Sequence, residues 1–225
     1  MTVEEFIEQV RGQLIVSCQA LEDEPLHGAE IMVRMARAAQ EGGAVAIRAN
    51  SPSDVAAIKQ AISLPLIGLY KDGDTGIYIT PSKRHALAIA DAGADIIALD
   101  ATNRPRIAGE SLAEIIATIH EVGALALADV STLEEAHLAQ RAGADFVAPT
   151  LAGYTEYSPQ NDMPDFNLMR RMVTELTVPV IAEGHISTPT QARQALDCGV
   201  LAVVVGSAIT RPQLITAKFA NALKD

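Results

Sequence analysis

Short, uninterrupted apolar runs recur along this chain, each led in by a small-residue helix end and a glycine. The phrase is seen as AQEGGAVAIRA, ADAGADIIALD, HEVGALALADV, AQRAGADFVAP and LDCGVLAVVVG. The glycine stops a helix by taking the left-handed backbone conformation. The run behind it shows no polar alternation, which is the pattern of a strand buried on both faces. Filling the gaps predicts eight strands, at 14–19, 44–49, 66–71, 96–100, 125–130, 146–151, 179–184 and 202–207. A helical segment follows each. Helix starts are marked by Ser51-Pro52, Thr80-Pro81, Ser131-Thr132 and Thr188-Pro189, pairs that suit an N-cap and a first helical position. The opening residues, MTVEEFIEQVRG, read as a short amphipathic helix with Thr2 and Glu5 as a capping box. Alternating strand and helix with short loops predicts a parallel α/β sheet. Eight such units without a reversal favour a closed (β/α)8 TIM barrel over an open doubly wound sheet. No linker or low-complexity stretch divides residues 1–225, so one domain is expected.

Composition sharpens this picture. Apolar residues make up 49% of the chain but aromatics only 4%, so Ala, Val, Ile and Leu must do the packing. The formal net charge of −11 argues against nucleic acid or an anionic membrane as a partner, because both need a basic surface. A small anionic substrate stays open, since a few cations can line one pocket. No run reaches the roughly 18 apolar residues that a membrane span needs. The acidic N-terminus is unlike a signal peptide, and Cys18 and Cys198 fit a reducing compartment; a cytoplasmic protein is expected. Both thiols read as buried, with Cys18 close enough to a strand end to stand in an active-site wall. No His and Cys cluster has metal-site spacing.

In a barrel of this kind the active site lies at the C-terminal ends of the strands. Here the strands run out into Gln19, Arg48, Lys71, Asp100, Asp129, Thr150, Glu183 and Gly206-Ser207. So many ionisable residues capping buried apolar strands are costly unless they pair or serve a site. Taken together they predict a polar cavity of mixed charge. The loops after strands seven and eight read EGHIST and VGSAITRP, and these are the loops that bind phosphate in many barrels. Gly184, Gly206 and Ser207 can present backbone N–H groups there, and Arg211 can add an ion pair. Strands three and seven are half a barrel apart, which sets Lys71 and Glu183 across the mouth from each other. Two proton-transfer groups so placed suit inversion at a carbon. A lysine ordinarily titrates near 10.4, so a basic Lys71 needs its pKa lowered, by partial burial and by Arg48.

IVSCQ, AVAIR, PLIGLYK, GADIIALDAT, the Asp129-Val-Ser turn, LAGYT, VIAEG and VVVGSAITRP occur together and in order. In this ordered set the chain resembles the N-acylglucosamine-6-phosphate 2-epimerases, also called N-acetylmannosamine-6-phosphate 2-epimerases, from about residue 12 to 222. The resemblance implies conversion of N-acetylmannosamine 6-phosphate into N-acetylglucosamine 6-phosphate in sialic acid breakdown, with no metal or organic cofactor. It implies a small phosphorylated amino sugar as partner and admits a homodimer. It places substrate-contacting residues at Gln19, Arg48, Lys71, Asp129, Glu183 and Arg211, and phosphate loops at Gly184, Gly206 and Ser207. Within that frame Lys71 is the expected base at carbon 2. Glu183 is expected to serve ring opening or proton return, and Asp129 to orient Lys71 or the sugar hydroxyls. Arg48 and Gln19 are expected at the N-acetyl group or the developing oxyanion.

The chain departs from the family in places. Asp72 follows the lysine where an Arg is frequent, and the loop Asp72–Ile77 is about two residues short. Ile107 replaces the second Pro of an Arg-Pro-Arg-Pro turn, and His185 stands where Lys or Arg is common. Two rival readings are another phosphosugar epimerase or isomerase on a phosphate-binding barrel, and an inactive phosphosugar-binding regulator. Relatives of ribulose-phosphate epimerase carry metal-ligating His at strand ends, which this chain lacks. A regulator would be expected to have lost Lys71 or Glu183.

Overall fold

The computed structural model describes residues 1–74, 76–106, 109–160 and 162–224. Its sheet comprises β1 (Leu14–Cys18), β2 (Ala46–Asn50), β3 (Leu66–Leu69), β4 (Ile96–Asp100), β5 (Leu125–Asp129), β6 (Phe146–Ala148), β7 (Ile181–Ala182) and β8 (Ala202–Val205). All pairings are parallel, in the order β6-β5-β4-β3-β2-β1-β8-β7. A single parallel bridge from Val147 to Val180 joins the two ends of that order and closes the barrel. The expected (β/α)8 architecture is therefore present.

Most strands stop short of the ends read from the sequence. Gln19, Lys71, Thr150, Glu183 and Ser207 lie just beyond the paired residues, because the ladder gives way to loops where polar side chains turn to the mouth. The second strand starts two residues later than expected and runs on to Asn50.

The helices are α1 (Val3–Val10), α2 (Ala29–Glu41), α3 (Pro52–Ala61), α4 (Lys83–Asp91), α5 (Leu112–Glu121), α6 (Leu133–Arg141), α7 (Phe166–Glu175), α8 (Pro189–Asp197), α9 (Ser207–Thr210) and α10 (Pro212–Ala222). Capping boxes start α1 at Thr2, α6 at Thr132 and α8 at Thr188, and the Ser51 side chain caps α3. The Thr80-Pro81 expectation is corrected: α4 begins at Lys83 behind an N-cap at Ser82. Thr80 instead pins a small flap. Its hydroxyl donates to Ala98 O at 2.6 Å and accepts from Tyr70 N at 3.1 Å, while Lys71 and Ile79 form an antiparallel bridge. Sequence reading also missed α9, a single turn between β8 and the last helix.

Two apolar layers follow from strand parity, since alternate residues point to opposite faces. The inward set includes Ile15, Ala46, Ile67, Leu69, Ile96, Ala98, Leu127, Phe146, Ile181 and Val204. Phe6 and Val10 of α1 join it, with Phe6 edge-on to Phe146 at 5.2 Å. The outward set packs under the helices and includes Ile47, Ile97 and Val203 against Met32, Ile58, Ile89 and Met172. Gly68 faces this layer, where a Cβ would come within 2.5 Å of the Ile89 side chain; α4 can sit close only because of that glycine. Cys18 and Cys198 are both unpaired and buried. Cys18 points outward to the helices and not into the mouth, and burial pushes its thiol up to about 12. Among the described residues no helix is long and apolar enough to cross a membrane.

Candidate active site

Continuing the inward parity by one more layer brings up Ser17, Arg48, Lys71, Asp129, Thr150, Glu183 and Gly206. The apolar barrel thus ends in a polar lid of its own strands. Above it lies a cavity of about 450 Å³, lined among others by Gln19, Arg48, Lys71, Thr150, Glu183 and Arg211. That size suits a small-molecule site, typically about 300–1,000 Å³.

Arg48 occupies the centre of an ion network. Its guanidinium donates to both Asp129 oxygens, at 3.1 and 2.6 Å, and to Glu183 Oε2 at 2.5 Å. The Arg48 side chain is 1% exposed and that of Asp129 is fully buried. Burial alone would favour a neutral guanidine, but Asp129 and Glu183 outweigh it and hold Arg48 firmly charged. Thr150 Oγ1 donates to Asp129 Oδ1 at 2.6 Å. Both Asp129 oxygens are thereby engaged, and Asp129 does not line the cavity. In this structure Asp129 anchors Arg48, and its charge also acts on Lys71.

Lys71 is held by its backbone, whose N–H donates to Asn50 Oδ1 at 2.9 Å, and by the bridge to Ile79. Among the described residues its ammonium nitrogen forms no ion pair. Burial lowers its pKa to about 8, helped by the charges of Arg48 and Arg211 and opposed by Glu183 and Asp129. The Glu183 carboxyl moves the other way. Burial raises it, Asp129 adds to the rise, and Arg48 and Lys71 resist it. A lysine pushed down and a glutamate pushed up, lining one cavity, form a pair suited to moving protons near neutral pH.

Gln19 donates through Nε2 to Ser17 Oγ at 2.8 Å; its buried Oε1 has no partner among the described residues. Gly184 has φ of +108°, and a Cβ there would stand 3.1 Å from Pro149 O, so glycine is required. Gly206 and Ser207 line the same cavity. Arg211 also lines it, at the corner between α9 and α10, but its Nη2 already donates to Glu24 Oε2 at 2.7 Å. Asp100 shares the inward parity of Ile96 and Ala98 but does not line the cavity; it is fully buried and bound by Thr102 and Arg104.

Three contributors were missed from sequence. Tyr154 stacks on His185 with ring centroids 4.6 Å apart, Tyr78 lines the wall, and Glu24 meets Arg211. Tyr154 lies within the LAGYT phrase, but nothing in its spacing marked it out. Ile107 and residue Thr75 of the shortened loop lie outside the described residues. Among those described, no group of three or more His, Cys, Asp or Glu is placed to hold a metal ion.

A family model described as "Putative N-acetylmannosamine-6-phosphate epimerase" (NanE) matches residues 32–225. The chain belongs to the NanE family. A Clostridioides difficile relative named "Putative N-acetylmannosamine-6-phosphate 2-epimerase" is 51% identical, over 97% of this chain and 99% of its own. A similarly named Cutibacterium acnes relative is 48% identical over 97% of each. The solved N-acetylmannosamine-6-phosphate 2-epimerase of Clostridium perfringens superposes with a TM-score of 0.94 at 48% identity, covering 97% of this chain and 96% of that one. A thiamine phosphate pyrophosphorylase from Pyrococcus furiosus, 20% identical with a TM-score of 0.60 over 97% of this chain and all of its own, shares the fold alone. The NanE match thus agrees with the resemblance carried by the strand-end motifs.

Proposed function

We propose that this chain interconverts N-acetylmannosamine 6-phosphate and N-acetylglucosamine 6-phosphate by removing and returning the proton at carbon 2, as a step of sialic acid breakdown in the cytoplasm. Its place in the NanE family supports the reaction, and its two unpaired thiols fit a reducing compartment. The observation that carries the chemistry is Lys71, without an ion-pair partner among the described residues and lowered to about 8, in a cavity that Glu183 also lines.

In the open-chain sugar, carbon 2 lies beside an aldehyde. Neutral Lys71 takes the carbon 2 proton, and the electron pair moves onto the aldehyde oxygen as an enolate. The enolate needs a cation or donor close by, and Arg48, fixed by Asp129, supplies one. Return of a proton to the opposite face inverts carbon 2, and no net oxidation occurs. Glu183, with its raised pKa, serves as the acid for ring opening or for that return. Gln19 Oε1, an acceptor without a partner among the described residues, suits the N–H of the acetamido group. The phosphate is assigned to Gly184, Gly206, Ser207 and Arg211.

The test is exchange at carbon 2 in deuterium oxide, followed by NMR with both hexosamine phosphates. Epimerisation with one deuterium gained at carbon 2 is the expected result. Inversion with full retention of the original hydrogen, or no turnover of either sugar, would sink the proposal.

A further inference from the structure

Arg211 lines the cavity, yet it is held from behind. Glu24, on the loop after β1, is absent from the lining, and its carboxylate takes three donors. Oε2 accepts from Leu21 N at 2.8 Å and Arg211 Nη2 at 2.7 Å; Oε1 accepts from Gln213 Nε2 at 2.9 Å. The carboxylate is therefore fixed by its own loop and by α10, and does not depend on Arg211 for its place. The side chains of Arg211 and Glu24 are only 25% and 15% exposed, so this contact is better shielded than a surface ion pair. The residue before Arg211 is tied to the same segment: Thr210 Oγ1 donates to Ser17 O at 2.8 Å. Two consecutive residues of the α9–α10 corner are thus fastened to the end of β1 and its loop. Among the described residues, Nη1 and Nε of Arg211 make no hydrogen bond, which leaves these donors for a ligand.

We infer that Glu24 is a positioning residue for phosphate recognition, holding the Arg211 guanidinium through Nη2 so that its remaining N–H groups meet the phosphate. This rests on the assignment of Arg211 to the phosphate made above. An arginine side chain carries about 2 kcal/mol of rotamer entropy. A guanidinium already tethered has less freedom to lose when the ligand arrives. The opposite role, a carboxylate that competes with phosphate for Arg211, predicts the reverse sign on removal.

The experiment measures inorganic phosphate binding by calorimetry, and KM and kcat for the phosphorylated sugar, in Glu24→Ala, Glu24→Gln and Arg211→Ala. Thermal melts check folding. Supporting organisation around a binding group typically carries about tenfold in affinity. Glu24→Ala should therefore raise phosphate Kd and KM about tenfold with kcat near wild type. Glu24→Gln, which keeps an acceptor, should fall between the two. If Glu24→Ala does not fold, Glu24→Gln alone decides: a raised Kd supports the role and an unchanged one overturns it. Unchanged or tighter phosphate binding in the Glu24 variants, with Arg211→Ala weakened, overturns the Glu24 role alone. Wild-type binding by Arg211→Ala overturns both assignments. If the wild-type enzyme binds phosphate but exchanges no carbon 2 hydrogen, the epimerase reading fails while the Glu24 comparison still stands or falls on its own numbers.

Discussion

Arg48 lies within β2 and Lys71 just past the adjacent β3; both face the same cavity and carry the same formal charge, yet their surroundings treat them oppositely. Arg48 is gripped by two carboxylates through three hydrogen bonds. Lys71 is left without an ion pair among the described residues, and its pKa falls to about 8. Chemistry and partnering agree here. A guanidinium does not give up its proton in a protein, so it suits a permanent charge; an ammonium yields when desolvated, so it suits proton transfer. Burial, helped by the charges of Arg48 and Arg211, outweighs the pull of Glu183 and Asp129 and keeps the lysine amine partly neutral.

Breaking this contrast should produce its largest effect at Lys71. Lys71→Ala should lose about a hundred- to ten-thousand-fold in turnover and in carbon 2 deuterium uptake, while still binding phosphorylated sugar. Lys71→Arg should restore little. Near wild-type exchange in Lys71→Ala would shift the base to Glu183. Next in size is stability. Arg48→Met strands two carboxylates in a buried site and should cost about 3–5 kcal/mol in urea denaturation. Lys71→Met removes a charge that burial already disfavours, so its urea midpoint should hold or rise. Equal losses in the two variants would erase the distinction.

The smallest effects lie in the pH profile. The base form of Lys71 is the neutral amine, so kcat/KM should climb with pH and level off above about 8. Arg211→Ala removes a charge that lowers the Lys71 pKa and should move that limb to higher pH. Glu183→Gln removes one that raises it and should move its residual limb lower. Each shift is expected to be under about one unit, and two shifts of the same sign would contradict the electrostatic picture.

Much of this was legible in the chain, for identifiable reasons. β4 was read at 96–100 because Gly93 stops the helix before it and Asp100 ends an unbroken apolar run. The polar strand ends also pointed to the mouth. Pairing across the barrel was harder to see. Arg48, Asp129 and Glu183 come from β2, β5 and β7, and their meeting depends on shared inward parity, which strands buried on both faces conceal. Thr80-Pro81 imitates a helix start, but Thr80 adopts φ of +46° to close the Lys71 flap. The turn α9 and the partner Glu24 carry no periodic signal at all.

The lone bridge between β6 and β7 has a mechanical meaning. Across that joint the backbone offers Val147 N to Pro179 O at 3.2 Å, and little ladder besides. Arg48 reaches over it, one hand on Asp129 of β5 and the other on Glu183 beyond β7. The charged floor of the cavity is thus also the clasp of the cylinder. Loosening the clasp should let the Val147 amide trade its hydrogen with water well before the other strands begin to breathe.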